Sequence, residues 1–222
     1  MSRPQADFSL QQHRELLLEL ASALGVALDA AQVQRLARYV ELVVSWNKKL
    51  DLTAAKGASA QLEVLLADAL VLSSRELIPR GSRCLDVGSG AGAPALPLLI
   101  ARDDLRATLL EPLRKRVAFL RTAVGSLGLV ERCVINEAKL DPLLPVCAGA
   151  PFAVALSRAT FAPELWVPAA MRLATRGIAL LANQPTPPAP SGCEVSRTHD
   201  YRLPWSNAPR RIAVYSAEVT RE

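Results

Sequence analysis

Residues 83–92 read Arg83-Cys84-Leu85-Asp86-Val87-Gly88-Ser89-Gly90-Ala91-Gly92, and this stretch decides the fold class. A short apolar run of Cys84, Leu85 and Val87 carries one acidic residue, Asp86, near its end. Glycines follow at alternate positions, Gly88, Gly90 and Gly92. Glycine lacks a Cβ and tolerates positive φ, so a strand ending in such a loop lets the backbone pass close to a ligand. The helix expected next points its unpaired N–H groups at the same place. The pattern predicts a strand, a loop that cradles a nucleotide-like cofactor, and a helix.

The rhythm on either side differs. Before residue 82 the apolar spacing is helical. Leu16, Leu17, Leu20 and Leu24 share one face, and Gly25 can end that helix. Asp29 is placed to cap a second helix carrying Val33, Leu36, Val40, Val43 and Val44 towards Trp46. A third is expected from Ser59 to Leu77, with Leu62, Leu65, Leu66, Ala69 and Leu70 inward and Pro79 closing it. After residue 82, strand-like runs (83–87, 107–111, 133–136, 152–156, 177–181) alternate with helical ones (93–102, 113–127, 163–175). Such alternation predicts a mostly parallel sheet with helices on both faces. Two last strands, near 194–199 and 211–217, flank a short turn and suggest a hairpin-like pair. The proline-rich run from Gln184 to Pro190 cannot be a strand interior and is read as a rigid surface connection. Residues 1–80 are therefore expected to form a helical extension packed on a core of residues 81–222.

Composition narrows the class. At 222 residues, half of them hydrophobic, the chain suits one α/β domain with an appendage. No apolar run approaches the roughly eighteen residues of a membrane span, and the start, Met1 to Asp7, lacks the apolar core of a signal peptide. A cytoplasmic protein with no membrane contact is expected. Cys84, Cys133, Cys147 and Cys193 stand far apart and read as free thiols; with only His13 and His199 beside them, no metal site is expected. The net charge of +5 suits a polyanionic partner, although an arginine-rich composition gives the same balance without one.

Gly88, Gly90 and Ala93 fit a dinucleotide fingerprint only loosely. Two features favour S-adenosylmethionine instead. Asp86 stands two residues before the first glycine, where a carboxylate can hold the methionine ammonium directly or through water. The third glycine gives the longer pattern Asp-x-Gly-x-Gly-x-Gly. Glu111, at the end of the next strand, is placed to accept both ribose hydroxyls, a role that serves either cofactor. On this reading a Gly88→Asp side chain fills the cofactor pocket.

Four segments, the glycine loop among them, carry a family resemblance. Trp46-Asn47-Lys48-Lys49-Leu50-Asp51-Leu52-Thr53, Leu85-Asp86-Val87-Gly88-Ser89-Gly90-Ala91-Gly92-Ala93-Pro94, Arg114-Lys115-Arg116-Val117-Ala118-Phe119-Leu120-Arg121 and Ser157-Arg158-Ala159 occur in this order. Their order and spacing resemble the small-subunit ribosomal RNA methyltransferase G family, also called glucose-inhibited division protein B, over about residues 30–220. The resemblance implies a Rossmann-like class I S-adenosylmethionine-dependent methyltransferase fold, with a mostly parallel seven-stranded sheet. It implies methylation of guanine N7 in 16S ribosomal RNA, with that RNA or the small ribosomal subunit as partner. Cofactor contacts are then expected from Asp86, Gly88, Ser89, Gly90, Gly92, Ala93, Glu111, Pro112, Lys139, Leu140 and Arg158. RNA contacts are expected from Lys48, Arg114, Lys115, Arg116 and Arg121, while Arg158 and Asn47 are candidates for orienting the substrate. Trp46 reads as core. A monomer is expected by default.

Guanine N7 has an in-plane lone pair and no proton, so methylating it needs positioning rather than a general base. The absence of an obvious catalytic His, Cys or carboxylate pair agrees with that chemistry and equally with a non-enzyme. An exocyclic-amine methylase commonly carries Asn/Asp-Pro-Pro-aromatic after the fourth strand, where this chain has Leu156-Ser157-Arg158-Ala159. A pyrimidine C5 methylase needs a cysteine nucleophile at the pocket, and Cys147 and Cys193 lack the usual setting. The chain also departs from the family pattern. Val64 and Leu65 stand where Arg-His is usual before Asp68, Glu137-Ala138-Lys139-Leu140 where Ser-Arg-x-Glu is frequent, Asn183-Gln184 where Lys-Gly is expected, and Asp51 replaces an asparagine. Three readings follow: a ribosomal RNA guanine-N7 methyltransferase; a methyltransferase for another RNA or a small molecule; a binding protein that keeps the fold without turnover.

Overall fold

The computed structural model describes residues 3–218, with side chains from Gln11 onward. Met1, Ser2 and residues 219–222 lie outside it, and with them the outermost ends of the two expected segments and the start of the stretch read for a leader.

Helix α1 (Arg3–Ala23) ends where Gly25 turns to φ +69° and Val26 donates back to the Ala21 carbonyl at 2.8 Å, a left-handed stop that glycine makes without strain. Helix α2 (Ala30–Leu50) starts at the expected cap. The Asp29 carboxylate accepts the Gln32 amide at 2.7 Å and the Gln32 side chain accepts the Asp29 amide at 2.8 Å, closing a capping box. Val33, Leu36, Val40 and Val43 are buried as the spacing predicts. The third helical segment differs from expectation twice. It ends at Leu72 rather than Leu77, and it is interrupted: α3 (Ala58–Leu62) runs into a π-helical turn (Glu63–Ala67) before α4 (Asp68–Leu72). Periodicity cannot show a π turn, because the apolar residues stay inward on both sides of it.

The sheet comprises β1 (Arg83–Val87), β2 (Arg106–Leu110), β3 (Cys133–Asn136), β4 (Phe152–Ser157), β5 (Ala174–Leu181), β6 (Cys193–Arg202) and β7 (Pro209–Ala217). Their spatial order is β3-β2-β1-β4-β5-β7-β6. β1 to β5 pair in parallel, and β7 is antiparallel to both neighbours. The last two strands form the expected hairpin, and residues 184–190 lie outside any strand. β1 and β4 are neighbours in space while the chain between them crosses to β2 and β3. The carboxyl ends of β1 and β4 thus form the switch point at which open α/β sheets place ligands.

Helices cover both faces, unevenly. α5 (Ala95–Ala101), α6 (Arg114–Ser126) and the N-terminal helices share one apolar cluster with the sheet, running from Leu20, Leu36 and Leu66 to Leu109, Val154 and Ile178. The other face holds one helix, α7 (Pro163–Leu173), whose Trp166 and Ala170 pack with Leu85, Val87 and Ala155. No helix joins β3 to β4. Pro145, Gly149 and Pro151 break the 137–151 connection, and Leu143, Leu144 and Val146 stay exposed there.

Candidate functional site

The loop after β1 is held by backbone bonds from below. The amides of Gly88 and Ser89 both donate to the Leu110 carbonyl, at 2.8 and 3.1 Å, and the Ser89 hydroxyl donates to the Asp86 carbonyl at 3.0 Å. The buried Tyr39 hydroxyl, from α2, donates to the Ala91 carbonyl at 2.9 Å. Glu111, 2% exposed, binds two amides: one oxygen accepts Gly90 N–H at 2.8 Å, the other Leu113 N–H at 2.9 Å. Each oxygen keeps a lone pair for a further donor.

Asp86 is 1% exposed, and its Oδ2 has no hydrogen-bond partner among the described residues. Burial pushes its carboxyl up to about 7, opposed by the Arg158 guanidinium and assisted by the Glu111 charge. A buried carboxylate oxygen without a donor costs free energy unless a cation or donor meets it. The acceptor is thus suited to an ammonium group.

The three glycines have different reasons to be glycine. All have positive φ, +74°, +53° and +81°. A Cβ on Gly88 would stand 2.0 Å from the Thr160 hydroxyl, and one on Gly92 would stand 2.5 Å from Leu96 Cδ1. Only Gly90 faces open space, with the Gly88 carbonyl at 3.8 Å as its sole neighbour within 4 Å. A Gly88 side chain, expected to fill the cofactor pocket, would first meet the turn after β4. Gly90 is the glycine across which a ligand can lie.

That turn begins a cleft of about 400 Å³ at the carboxyl edge of β4 and β5. Ser157 and Thr160 both donate to the Val87 carbonyl, at 2.9 and 3.2 Å, and Ala159 takes φ +56°. Arg158 then reaches away from the glycine loop. Its Nη1 donates to the Val64 carbonyl and to Asp68 Oδ2, the latter at 3.1 Å. The Tyr201 hydroxyl donates to the other oxygen of Asp68. The π turn carries the Val64 carbonyl that Arg158 takes up. Such turns recur at functional sites. Glu63, the first residue of the turn, accepts the amides of Trp205 and Ser206 at 2.6 and 3.0 Å. The cleft is therefore assembled from α3–α4, the β4 turn and the β6–β7 hairpin.

Asn47 does not face open solvent. Its carbonyl oxygen accepts Leu52 and Thr53 N–H at 2.6 and 2.9 Å, and its amide donates to the Thr53 carbonyl. It builds the turn that sets Leu52 and Thr53 in the cleft wall. Asp51, at the end of α2, adopts φ +36°, a left-handed position that asparagine tolerates well. Trp46 packs edge-on against Phe119 with centroids 5.7 Å apart, as core.

The other expected residues fall in two groups. Ala93 and Leu140 are buried in the two main apolar clusters, while Pro112 and Lys139 are exposed. Lys48, Arg114, Lys115 and Arg121 are exposed. Arg114, Lys115 and Arg116 join Lys49, Asp51 and Pro112 around a groove of about 410 Å³, where Arg116 donates to the Asp51 carbonyl at 3.4 Å. Three cations thus crowd the N-terminus of α6, whose dipole favours an anion. Cys84 and Cys133 are buried, their thiols pushed up to about 12 by desolvation. Among the described residues no cluster of three or more His, Cys, Asp or Glu is arranged to hold a metal, and no helix is long and apolar enough to cross a membrane. Tyr39, Glu63, Thr160 and Tyr201 escaped sequence reading. Their partners are 52, 142, 73 and 133 residues away, and no local pattern reports such pairs.

A family model described as rRNA small subunit methyltransferase G matches residues 32–180. The chain belongs to that family. The methyltransferase G proteins of Anaeromyxobacter dehalogenans and Methylococcus capsulatus are each 34% identical to it. The first alignment covers 90% of this chain and 95% of the relative, the second 86% and 93%. An O-methyltransferase from Bacillus cereus, solved in complex with SAH, superposes with a TM-score of 0.54 at 14% identity, over 93% of this chain and 99% of that one. The likeness is one of fold. The expected Rossmann-like methyltransferase architecture and the methyltransferase G resemblance both hold.

Proposed function

We propose that this chain transfers a methyl group from S-adenosylmethionine to N7 of a guanine in 16S ribosomal RNA. One observation carries the site: the Asp86 oxygen without a partner among the described residues lies buried beside a loop whose middle glycine, Gly90, faces open space. The donor set suits the cofactor. Asp86 would hold the ammonium, Glu111 would offer its remaining lone pairs to the ribose hydroxyls, and the Gly88–Gly92 backbone would line the rest, with Ala93, Pro112, Lys139 and Leu140 expected around it; Arg158, bound to Val64 and Asp68, belongs to the acceptor side. When bound, S-adenosylmethionine supplies a methyl on a sulfonium centre, reactive enough to need no enzyme nucleophile.

The chain's own part is orientation. The base enters the cleft beside the β4 turn, where Arg158 is fixed by Val64 and Asp68, and Asn47 fixes Leu52 and Thr53. Alignment of this kind can supply up to about 7–11 kcal/mol of a barrier in favourable systems. No base is required at N7, and the described Cys84 and Cys133 thiols stay protonated near neutrality. Lys48, Arg114, Lys115, Arg116 and Arg121 would contact phosphates, which position RNA without reading its sequence. In this reading residues 1–80 form an extension on the 81–222 core and contribute Asp68 and the π turn. The protein works as a monomer in the cytoplasm, where its acceptor is.

The experiment combines calorimetry with transfer. The intact protein should bind S-adenosylmethionine. Small ribosomal subunits from cells lacking the endogenous activity should then take up labelled methyl as 7-methylguanine. No cofactor binding would leave only a scaffold; binding without label in the RNA would assign the site to another acceptor.

A further inference from the structure

The β6–β7 hairpin carries a second basic groove, at the other end of the sheet from the α6 groove. β6 ends and β7 begins at the carboxyl edge, and the register sets Tyr201 opposite Arg210, Arg202 opposite Pro209 and Asp200 opposite Arg211. Directly opposed residues share a face of the sheet. Arg210 therefore stands beside Tyr201, whose hydroxyl binds Asp68 in the cleft, while Arg202 starts from the other face and joins Arg210 only around the groove at the hairpin's end. Arg210 lines both the cleft and a neighbouring open groove of about 710 Å³, which Arg202 and the 182–185 connection complete.

The charges here are unequal in their engagement. Arg211 makes a two-pronged bond to Asp200, at 2.5 and 2.7 Å, so that pair is neutral. Asp68 is taken by Arg158 and Tyr201. Arg202 and Arg210 donate only to main-chain carbonyls of the hairpin, Asn207 and Pro209, at 2.8 and 2.9 Å. Neither has a carboxylate partner among the described residues. Each guanidinium keeps most of its five donors free, in a groove that Asn183, Gln184 and the Asp200–Arg211 pair also line. Planar guanidinium groups with free donors match phosphate oxygens in geometry and charge.

We infer that Arg202 and Arg210 form a phosphodiester-binding site on the hairpin, gripping the RNA strand on the side of the acceptor nucleotide away from α6. This rests on the reading of RNA as acceptor. A strand crossing the cleft would meet cations before it, at Arg114–Arg116, and after it, at Arg202 and Arg210, with the base turned in between.

The test is the salt dependence of binding to 16S ribosomal RNA. Arg202→Gln/Arg210→Gln is compared with wild type and with a charge-matched control, Arg80→Gln/Arg106→Gln, at the amino edge of the sheet. Two lost phosphate contacts should lower the slope of log K against log salt by roughly 1.5 and weaken binding about tenfold in low salt. The control should keep the wild-type slope, and S-adenosylmethionine affinity should not change in either. Arg202→Lys/Arg210→Lys, which keeps the charges, should recover the slope and also serves if the glutamine variant misfolds. An unchanged slope, an equal loss in the control, or a lysine variant that binds cofactor without recovering the slope would each overturn the inference. So would a defect seen with whole subunits but not with free RNA, which would place a ribosomal protein in the groove. A wild-type protein that binds cofactor but no RNA would remove the proposed acceptor, and the hairpin site with it.

Discussion

The Glu111 carboxylate accepts the Gly90 amide at 2.8 Å, tying the end of β2 to the middle of the glycine loop. Its other oxygen holds Leu113 N–H at the start of α6, so one side chain fixes both walls of the proposed cofactor site. Glutamine has the same shape but must turn an NH2 group towards one of these two amides. Glu111→Gln should lose about 1–3 kcal/mol for the donor left unmet. At about 2–4 °C per kcal/mol for a chain of this size, that is a fall of several degrees in Tm. S-adenosylmethionine should bind at least tenfold more weakly by calorimetry. A variant with wild-type melting and affinity would mean that the loop is held by Leu110, Ser89 and Tyr39 without Glu111.

Asp86 should make both stability and binding depend on pH. Unfolded, its carboxyl titrates near 3.8; folded, burial raises it to about 7. Between those values the folded protein holds one proton more than the unfolded chain, so this group's contribution to stability declines as pH rises, by about 1.4 kcal/mol per unit. The ligand-free protein should gain less Tm than Asp86→Asn as pH goes from 5 to 8. An ammonium needs the carboxylate, so cofactor affinity should rise over pH 6–8 and binding at pH 6 should release a proton. Calorimetry in buffers of different ionisation enthalpy measures that proton, and a zero count would contradict the assignment.

Gly88 and Thr160 should couple in a double-mutant cycle. Alanine at 88 would place its Cβ 2.0, 2.6 and 2.8 Å from the three side-chain atoms of Thr160 in an already left-handed backbone. Gly88→Ala should cost more than the 1–3 kcal/mol of backbone strain alone. Thr160→Gly removes all three clashing atoms and should return part of that loss. Additive single effects in chemical denaturation would show that the clash is relieved elsewhere.

Asp68 joins Arg158 to Tyr201 across three elements. Tyr201→Phe removes one donor from a carboxylate that keeps the other, and should cost about 1 kcal/mol. Asp68→Ala strands the Arg158 guanidinium, 24% exposed in the folded chain, and should cost more. Both should lower kcat for RNA methylation while leaving S-adenosylmethionine affinity intact, because neither residue touches the glycine loop. A parallel loss of cofactor binding would place Arg158 in the cofactor site instead.

What was legible in the sequence follows from the range of the forces involved. Arg83–Val87 and Cys133–Asn136 have the bounds their local pattern predicts, because apolar alternation and glycine punctuation act over a few residues. The Asp29 cap was readable for the same reason. Local signals also suggested a helix running to Thr175, yet the chain leaves helix at Leu173 to pair Ala174 with Phe152. Pairing with a distant strand outweighed helical propensity there. The stretch that carries the proposed cofactor site was legible because Asp86 and the glycines are contiguous. On the acceptor side Arg158 was legible beside Ser157 and Ala159, but its link through Asp68 to Tyr201 was not: the three meet only after the π turn and the hairpin have folded against each other.

The helical extension and the sheet should unfold together. Tyr39 on α2 is fully buried and its hydroxyl donates to Ala91 in the glycine loop, while Arg35 and Gln32 donate to the carbonyls of Leu127 and Ala101 at 2.6 and 3.0 Å. A single apolar cluster runs through both parts, so exposing the face of α2 also uncovers α5. One transition is expected in urea, with fluorescence of Trp46, on α2, read in a Trp166→Phe/Trp205→Phe background, and far-UV ellipticity coinciding. Tyr39→Phe should shift both probes equally, by about 1–3 kcal/mol for the Ala91 carbonyl it leaves unmet. Two separated transitions, with Trp46 changing first, would show instead that residues 1–80 dock as an independent unit.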